Sequence, residues 1–110
     1  GDERARRLEH RIAGADANPY LVLAAVLAGA HYGISQKIDP GEASLGVNMS
    51  GETDESIPLE WEQAISRLHE SSFAEAYFER EYIDTYCALR RDELKRFNDY
   101  VSAHEFRLYL

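Results

Sequence analysis

A continuous apolar segment constrains the fold of this chain most strongly. Residues 20–30 read YLVLAAVLAGA and contain no charged side chain. Asn18 and Pro19 precede the segment, and this pair is typical of a helix start, since Asn caps helices well and Pro suits the first helical position. A helix that is apolar on every side is normally buried. The segment is shorter than the roughly 20 apolar residues that a bilayer span requires, so we predict a buried helix over residues 19–35.

Four further helices are predicted from the spacing of apolar residues and from helix-start signals. We place them at residues 58–70, 72–78, 79–100 and 102–109. Ser56 and Ser102 are the expected caps of the first and last of these helices. The helix over 19–35 is expected to stop between Gly33 and Gln36, with Gly33 as the candidate C′ residue. Residues 37–56 are predicted to form a loop, because turn residues and acids follow one another without periodicity. The role of this loop over residues 42–56 is left open.

The amino-terminal residues have a different pattern. From Arg7 to Ile12 charged residues alternate with other residues, which predicts a strand over residues 5–12 with Arg7, Glu9 and Arg11 on one face. One strand cannot form a sheet, so its partners must lie outside this sequence. The fold class predicted for this piece is therefore mainly α with one amino-terminal strand. Without that sheet, the apolar helix leaves uncovered surface, and self-association is expected.

The three charged residues of the predicted strand are the candidate functional residues. A carboxylate such as Glu9 can hold a hard cation, and arginines such as Arg7 and Arg11 can clamp phosphate or carboxylate oxygens. A site for Mg²⁺ and a nucleotide needs both kinds of group. An exposed strand face with cross-strand ion pairs explains the same residues, and the spacing alone does not separate the two interpretations.

Composition excludes several other classes of protein. The formal charge is −8, from 12 Lys and Arg against 20 Asp and Glu, which argues against a nucleic-acid or anionic-membrane partner. The single cysteine, Cys87, excludes an internal disulfide and is expected to be structural. Residues 1–11 are polar and carry four arginines, so we expect no secretory signal there and a cytoplasmic location. The four histidines show no metal-ligand spacing, and His10 is expected to pack rather than to catalyse.

Residues 5–29, ARRLEHRIAGADANPYLVLAAVLAG, resemble the glutamine synthetase family. In that family an R-x-E-x-R strand leads into a G-A-D-A-N-P-Y-L turn and a helix. Features downstream agree, among them K-I-x-P-G from Lys37 and D-x-x-x-x-L-x-R-x-E from Asp84. Residues 1–110 thus resemble the carboxy-terminal portion of the family's α+β catalytic domain. Where the ordinary ammonia-using pattern is R-x-E-V-R-F-P, this chain has His10, Ile12 and Ala13, which is more similar to the branch that glutamylates putrescine and other polyamines.

The resemblance implies an activity and a role for each candidate residue. Glu9 matches a ligand of Mg²⁺ or Mn²⁺, Arg11 matches the arginine that contacts the substrate carboxylate and the transferred phosphate, and Arg7 matches an arginine on the ATP side. The implied activity is an ATP-dependent glutamate–amine ligase with a γ-glutamyl phosphate intermediate, and the amine is ammonia or a polyamine. The implied whole protein is a ring-shaped homo-oligomer with its sites between subunits, so the piece alone is expected to be inactive.

Two other interpretations stay open at the level of sequence. The chain could be a helical interaction module that retains the strand motif as a remnant. An independent small enzyme is a weaker alternative, because three residues on one strand cannot surround ATP, metal ions and glutamate.

Overall fold

The computed structural model describes residues 3–41 and 56–109. The chain divides into two compact units, residues 1–47 and 48–110, and each is described by itself. The described residues form five α-helices and one short 3₁₀-helix, which confirms the mainly helical fold class. The part of the predicted loop over residues 42–55 lies outside the described residues. None of the described helices is both long and apolar enough to cross a membrane.

The amino-terminal strand predicted over residues 5–12 is not present in the described part of the first unit. Glu3–Ala5 forms the 3₁₀-helix, and residues 6–11 have no regular secondary structure. A strand is stabilised by hydrogen bonds to a neighbouring strand, and no strand lies among the described residues. The alternating pattern alone is therefore not enough to form a strand in this chain.

Helix α1, Pro19–Ser35, begins as predicted. The side-chain Oδ1 of Asn18 accepts hydrogen bonds from the backbone N–H of Tyr20 at 3.0 Å and of Leu21 at 3.3 Å. These two donors have no partner inside the helix. The Asn18 cap and Pro19 at the first helical position therefore define where the helix starts.

Helix α1 ends at Ser35, as predicted, but Gly33 is not its C′ residue. The helix continues through Gly33 to Ser35, and Lys37 adopts the left-handed conformation with φ of 52°. The backbone N–H of Ile38 donates to the Gly33 carbonyl at 2.9 Å, and that of Lys37 donates to the Ile34 carbonyl at 3.2 Å. These two bonds form a Schellman motif, so Gly33 supplies an acceptor three residues before the cap.

Most of α1 is exposed rather than buried. Only Ala28 is buried, while large apolar side chains such as Tyr20 at 82% and Ile34 at 79% face solvent. The prediction of a buried helix is therefore wrong for this chain by itself. The uncovered apolar surface expected of the isolated piece is present.

The second unit contains the other four α-helices. They are α2, Trp61–Glu70, α3, Ser72–Phe78, α4, Arg80–Asn98, and α5, Ala103–Tyr109. Helix α2 begins three residues later than predicted, with Glu60 rather than Ser56 before it. Pro58 is therefore not the first residue of the helix. Helix α5 has the predicted capping box, because Glu105 N–H donates to the Ser102 hydroxyl at 3.2 Å while Ser102 N–H donates to the Glu105 carboxylate at 2.7 Å.

The core of the second unit lies between α2, α3 and α4. Ile65, Ala74, Ile83 and Cys87 are buried there, and Leu68, Phe78 and Leu94 pack against them. The positions from Ile83 to Leu94 follow the apolar stripe of the longest predicted helix. The Cys87 thiol donates to the Ile65 carbonyl over 3.7 Å, and burial raises the pKa of this thiol. These contacts match the structural role predicted for Cys87.

Arg80 joins three of these helices at their shared corner. Its guanidinium donates to the His69 carbonyl at 2.7 Å and to the Glu75 carboxylate at 2.5 Å. The same side chain lies 3.7 Å from the Asp84 carboxylate. Glu79, the single residue between α3 and α4, has φ of 61° and ψ of 146°. Few residues other than glycine adopt this backbone conformation, so the corner is tight and strained.

Candidate functional site

The segment with the three candidate residues is followed by a tight turn that leads into α1. Ala17 N–H donates to the Gly14 carbonyl at 3.1 Å across this turn. A Cβ atom on Gly14 would lie 2.6 Å from Oδ1 of Asp16. Glycine at this position therefore lets the Asp16 side chain fold back over the turn, and the chain passes from the charged segment to the helix within a few residues.

Glu9 and Arg11 form an ion pair with each other. The Nε of Arg11 donates to Oε1 of Glu9 at 2.5 Å, and Nη2 of Arg11 lies 2.5 Å from the same oxygen. Both side chains remain open to solvent, with 54% of Glu9 and 84% of Arg11 exposed. Exposed pairs of this kind add little stability. The ion pair therefore contributes little to folding stability, and any function of the two side chains lies in what they bind.

Arg7 is exposed and does not belong to this ion pair. The structure thus brings two of the three candidate residues together and leaves the third beside them in the chain. The alternation in the sequence predicts Glu9 between two guanidinium groups on a regular strand. The direct pairing of Glu9 with Arg11 alone was missed, although opposite charges two residues apart are its signal.

The two neighbours of Glu9 in the chain face a different part of the unit. An open groove of about 420 Å³ lies between this segment and the amino-terminal half of α1. Among residues 7–11, only Leu8 and His10 line it. Leu8 and His10 therefore line the groove while Glu9 and Arg11 pair with each other, so alternate residues still differ in their surroundings although the segment is not a strand.

Glu9 can supply one oxygen ligand to a divalent cation. A carboxylate oxygen is the ligand type that Mg²⁺ prefers, and Mg²⁺ keeps several other positions for water and substrate oxygens. The described residues contain no group of three or more His, Cys, Asp or Glu that could hold a metal ion. Glu9 therefore fits as one member of a metal site, and the described residues do not complete that site.

Two side-chain pairs in the second unit join α2 to α4. His69 Nε2 lies 3.2 Å from Oδ1 of Asp84, between α2 and α4. Arg91 Nε donates to the Glu62 carboxylate at 3.2 Å and joins the same two helices. Both pairs tie together two of the helices that form the core.

Comparisons with known proteins place the chain in a family. Residues 1–109 match the model of the family described as glutamine synthetase, catalytic domain. The chain is 37% identical over 108 residues to a glutamate–isopropylamine ligase of a Pseudomonas species, covering 96% of this chain and 24% of that protein. It is 32% identical over 110 residues to the γ-glutamylputrescine synthetase of Escherichia coli K12, covering 100% of this chain and 23% of that protein.

A third relative is named a glutamine synthetase. The glutamine synthetase of Escherichia coli K12 is 39% identical over 114 residues, with 96% of this chain and 24% of that protein covered. The chain thus spans about a quarter of the length of the curated relatives it matches. No solved structure is significantly similar to it. Because the family match extends over nearly every residue, the chain belongs to the glutamine synthetase family.

Proposed function

We propose that this chain is the carboxy-terminal portion of an ATP-dependent glutamate–amine ligase. The observation that carries the proposal is the family match over residues 1–109, which includes the segment where Glu9 and Arg11 are paired. The names of the relatives, two of which are synthetases and one a ligase of glutamate, support the same class of reaction. The upstream part of the catalytic domain supplies the strands that pair with residues 5–12.

The proposed reaction has two steps. An oxygen of the glutamate side-chain carboxylate attacks the γ-phosphorus of ATP, the bond to ADP breaks, and γ-glutamyl phosphate forms. The amine nitrogen then attacks the acyl carbon, phosphate leaves, and the nitrogen loses a proton to give an amide. In such transfers the protein mainly positions the reactants and stabilises charge.

Each candidate residue has a role in this proposal. Glu9 contributes one ligand to Mg²⁺ or Mn²⁺, which neutralises charge on the phosphates when bound. Arg11 holds the substrate carboxylate and the phosphoryl group in transfer, and its planar fork suits two oxygens at once. Arg7 contacts ATP. The pairing of Arg11 with Glu9 supports this division, because the two groups lie close enough to act on the same phosphoryl group.

The acceptor in this proposal is an organic amine, with a polyamine such as putrescine as the first candidate. The segment from His10 to Ala13 supports this choice, since it departs from the ammonia-using pattern. The names of two relatives include putrescine and isopropylamine. A relative named glutamine synthetase is equally similar in sequence, so ammonia is the competing acceptor and is included in the test.

The same proposal extends to assembly and location. The full-length protein is a ring-shaped homo-oligomer in the cytoplasm, and residues 1–110 alone are inactive. Inactivity is expected because a single carboxylate cannot form a metal site by itself. The alternative of a helical interaction module has no observation in its favour, because the relatives named above are synthetases and a ligase.

The test is γ-glutamyl hydroxamate formation by the full-length protein with ATP, glutamate, hydroxylamine and Mg²⁺ or Mn²⁺. Glu9→Ala should abolish product formation, and Glu93→Ala on α4 is the matched control that should keep it. Retained activity in Glu9→Ala would refute the metal-ligand role. Absence of ATP-dependent product in the wild type would refute the ligase.

Acceptor choice is measured separately, as amine-dependent release of phosphate. Ammonia, putrescine, spermidine and isopropylamine are compared at equal concentrations of free base. We expect the highest kcat/KM with an organic amine. A clear preference for ammonia would overturn the choice of acceptor while leaving the ligase class intact.

A further inference from the structure

The surface of α1 is apolar and uncovered in the first unit. The helix contains no Asp, Glu, Lys or Arg, and Ala28 is its only buried residue. Leu23 and Leu27 are 58% and 60% exposed. The described residues of this unit, 3–41, contain no other α-helix and no strand that could cover them. A helix of this composition is normally enclosed by protein, so it needs a cover that the described part of the unit does not provide.

The groove beside α1 has room for such a cover. It measures about 420 Å³ and lies open between α1 and the segment that precedes the helix. Its α1 side consists of four apolar residues, Pro19, Val22, Leu23 and Val26. Apolar side chains that fill the groove remove this surface and their own from water, which is the main favourable contribution to folding. The groove therefore fits an apolar element of protein.

The order of the chain indicates that a sheet is this cover. The charged segment, residues 5–12, is joined to α1 by a short connection over residues 13–18, in which Ala17 N–H donates to the Gly14 carbonyl at 3.1 Å. Under the proposed function, strands of the upstream polypeptide pair with residues 5–12. A helix that follows a strand after so short a connection packs on a face of the sheet to which that strand belongs. The sheet that pairs with residues 5–12 is therefore also placed to cover α1.

The part of the relatives that lies outside the match is large enough to supply this sheet. The chain spans 24% of the glutamate–isopropylamine ligase and 23% of the γ-glutamylputrescine synthetase, so most of a protein of that length lies outside it. A second copy of this chain is the competing cover. It would bury apolar surface of α1 but would leave residues 5–12 without the partners that the proposed function gives them. The upstream polypeptide satisfies both needs at once.

We infer that the apolar face of α1, together with the groove beside it, is the docking face for the upstream part of the same polypeptide. The cover is the sheet that residues 5–12 join, and apolar side chains of this sheet fill the groove. The inference rests on the proposed function for the existence of that upstream part. It makes α1 a layer of the catalytic domain that holds the sheet next to the charged segment.

The experiment is photo-cross-linking of the full-length protein, which needs no substitution. The protein is produced with a diazirine analogue of leucine, and cross-links from Leu23 and Leu27 are mapped by mass spectrometry of peptides. The monomer band of a denaturing gel reports links within one polypeptide, and the dimer band reports links between copies. Leu89 on α4, which is 55% exposed, is the internal control in the same sample.

We expect Leu23 and Leu27 to form cross-links to upstream peptides in the monomer band. Leu89 should not link to the peptides that these two residues reach. Links from Leu23 and Leu27 only to residues 1–110 of a second copy, in the dimer band, would overturn the inference. Products of Leu23 and Leu27 with water alone would also overturn it, because they show that the face stays uncovered.

A second measurement follows the accessibility of the same face in the full-length protein. Leu27→Cys should react with a maleimide about 100-fold more slowly in buffer than in urea, because the reaction waits for opening of the covered face. Arg96→Cys is the matched control, since Arg96 is a charged side chain with 79% exposure, and it should react at similar rates in both. Equal rates for a folded Leu27→Cys would overturn the inference. If this variant does not fold, the cross-links of the wild type decide alone.

Hydroxamate formation by the wild type is assayed in parallel and separates the two proposals. A protein that forms upstream cross-links from α1 but no hydroxamate would refute the ligase and support the docking face. An active protein whose Leu23 and Leu27 form no upstream cross-links would refute the docking face and leave the ligase intact.

Discussion

Two nitrogens of Arg11, Nε and Nη2, both lie 2.5 Å from the same oxygen of Glu9, Oε1. A planar guanidinium can make this double approach and then exchange the carboxylate for phosphate oxygens, whereas an ammonium group acts as a single point charge. The arrangement distinguishes Arg11 from a residue that merely supplies positive charge.

Arg11→Lys should lower kcat of the full-length ligase by about 100-fold, because the charge is kept but the two-point contact with the transferred phosphoryl group is lost. Hydroxamate formation at saturating ATP and metal measures the effect. Arg96→Lys is the matched control, since Arg96 is an exposed arginine paired with Asp92 on α4. Near-normal kcat in Arg11→Lys would contradict the assigned role.

The apolar face of α1 should make the isolated 110-residue chain self-associate. Leu23 and Leu27 are 58% and 60% exposed on this face, and uncovered apolar surface favours association. Light scattering during size-exclusion chromatography should give a mass above 12.5 kDa that falls towards the monomer in Leu27→Lys. Leu89→Lys on α4, where Leu89 is 55% exposed, should not reduce the mass. Equal effects of the two variants would show that α1 is not the contact.

Cys87 should be inert in the folded chain. The side chain is buried against Ile65, and burial raises the pKa of the thiol, so both access and thiolate formation are suppressed. Reaction with a chromogenic disulfide reagent should be roughly 100-fold slower in buffer than in urea, because it waits for opening of the core. Cys87→Ala should lower the free energy of unfolding by about 1 kcal/mol. Equal rates in buffer and urea would contradict the buried placement.

Acid should destabilise the second unit through Glu75. Arg80 donates a hydrogen bond to the Glu75 carboxylate and lowers its pKa below the ordinary value of 4.5. The folded state therefore holds the proton less readily than the unfolded chain. The stabilisation is fully present above the ordinary pKa and is lost as the pH falls through the lowered pKa of the folded state.

The measurement is urea unfolding of the isolated chain and of Glu75→Gln between pH 7 and strongly acidic pH. Glu75→Gln should be less stable than the wild type at pH 7, and the two should converge at acidic pH. In an Arg80→Met background, Glu75→Gln should change little at any pH, because the partner is absent. A difference between wild type and Glu75→Gln that stays constant with pH would refute this linkage.

Glu79 should be a site where glycine stabilises the protein. With φ of 61° and ψ of 146°, the backbone of Glu79 is costly for a residue that carries a Cβ. Glu79→Gly should raise the free energy of unfolding by about 1 kcal/mol, after allowing for the greater freedom of glycine in the unfolded chain. Ala88→Gly, at an exposed position inside α4, should lower it by about 1 kcal/mol. A loss of stability in both variants would contradict the strain at Glu79.

The start of α1 and the capping box of α5 were predictable because short-range chemistry determines both. Asn18 and Ser102 bond to backbone groups within three residues, so no distant part of the chain is needed. The apolar spacing around Ile83 and Cys87 likewise reflects one helix face, and that face is buried in the core. These features depend on contacts that lie close in sequence or repeat with the helical period.

The C′ residue of α1 and the turn between α3 and α4 were less predictable. Lys37 and Glu79 both have positive φ, a conformation for which neither residue type is preferred. Lys37 takes this conformation in the Schellman motif and Glu79 takes it in the one-residue turn between α3 and α4, and no local residue preference indicates either. The same is true of the Arg80 contacts, which join α2, α3 and α4 through groups up to 11 residues apart.

For the candidate site, the alternation of R-x-E-x-R was sufficient to name Arg7, Glu9 and Arg11 as candidates and to separate them from Leu8 and His10. Only the tertiary structure decided that Glu9 pairs with Arg11 and that Leu8 and His10 line a groove on α1. It also decided that residues 6–11 are not a strand among the described residues. The physical reason is that side-chain type and order are properties of the local chain, whereas a strand and a groove each require a second element whose position is set by the rest of the fold.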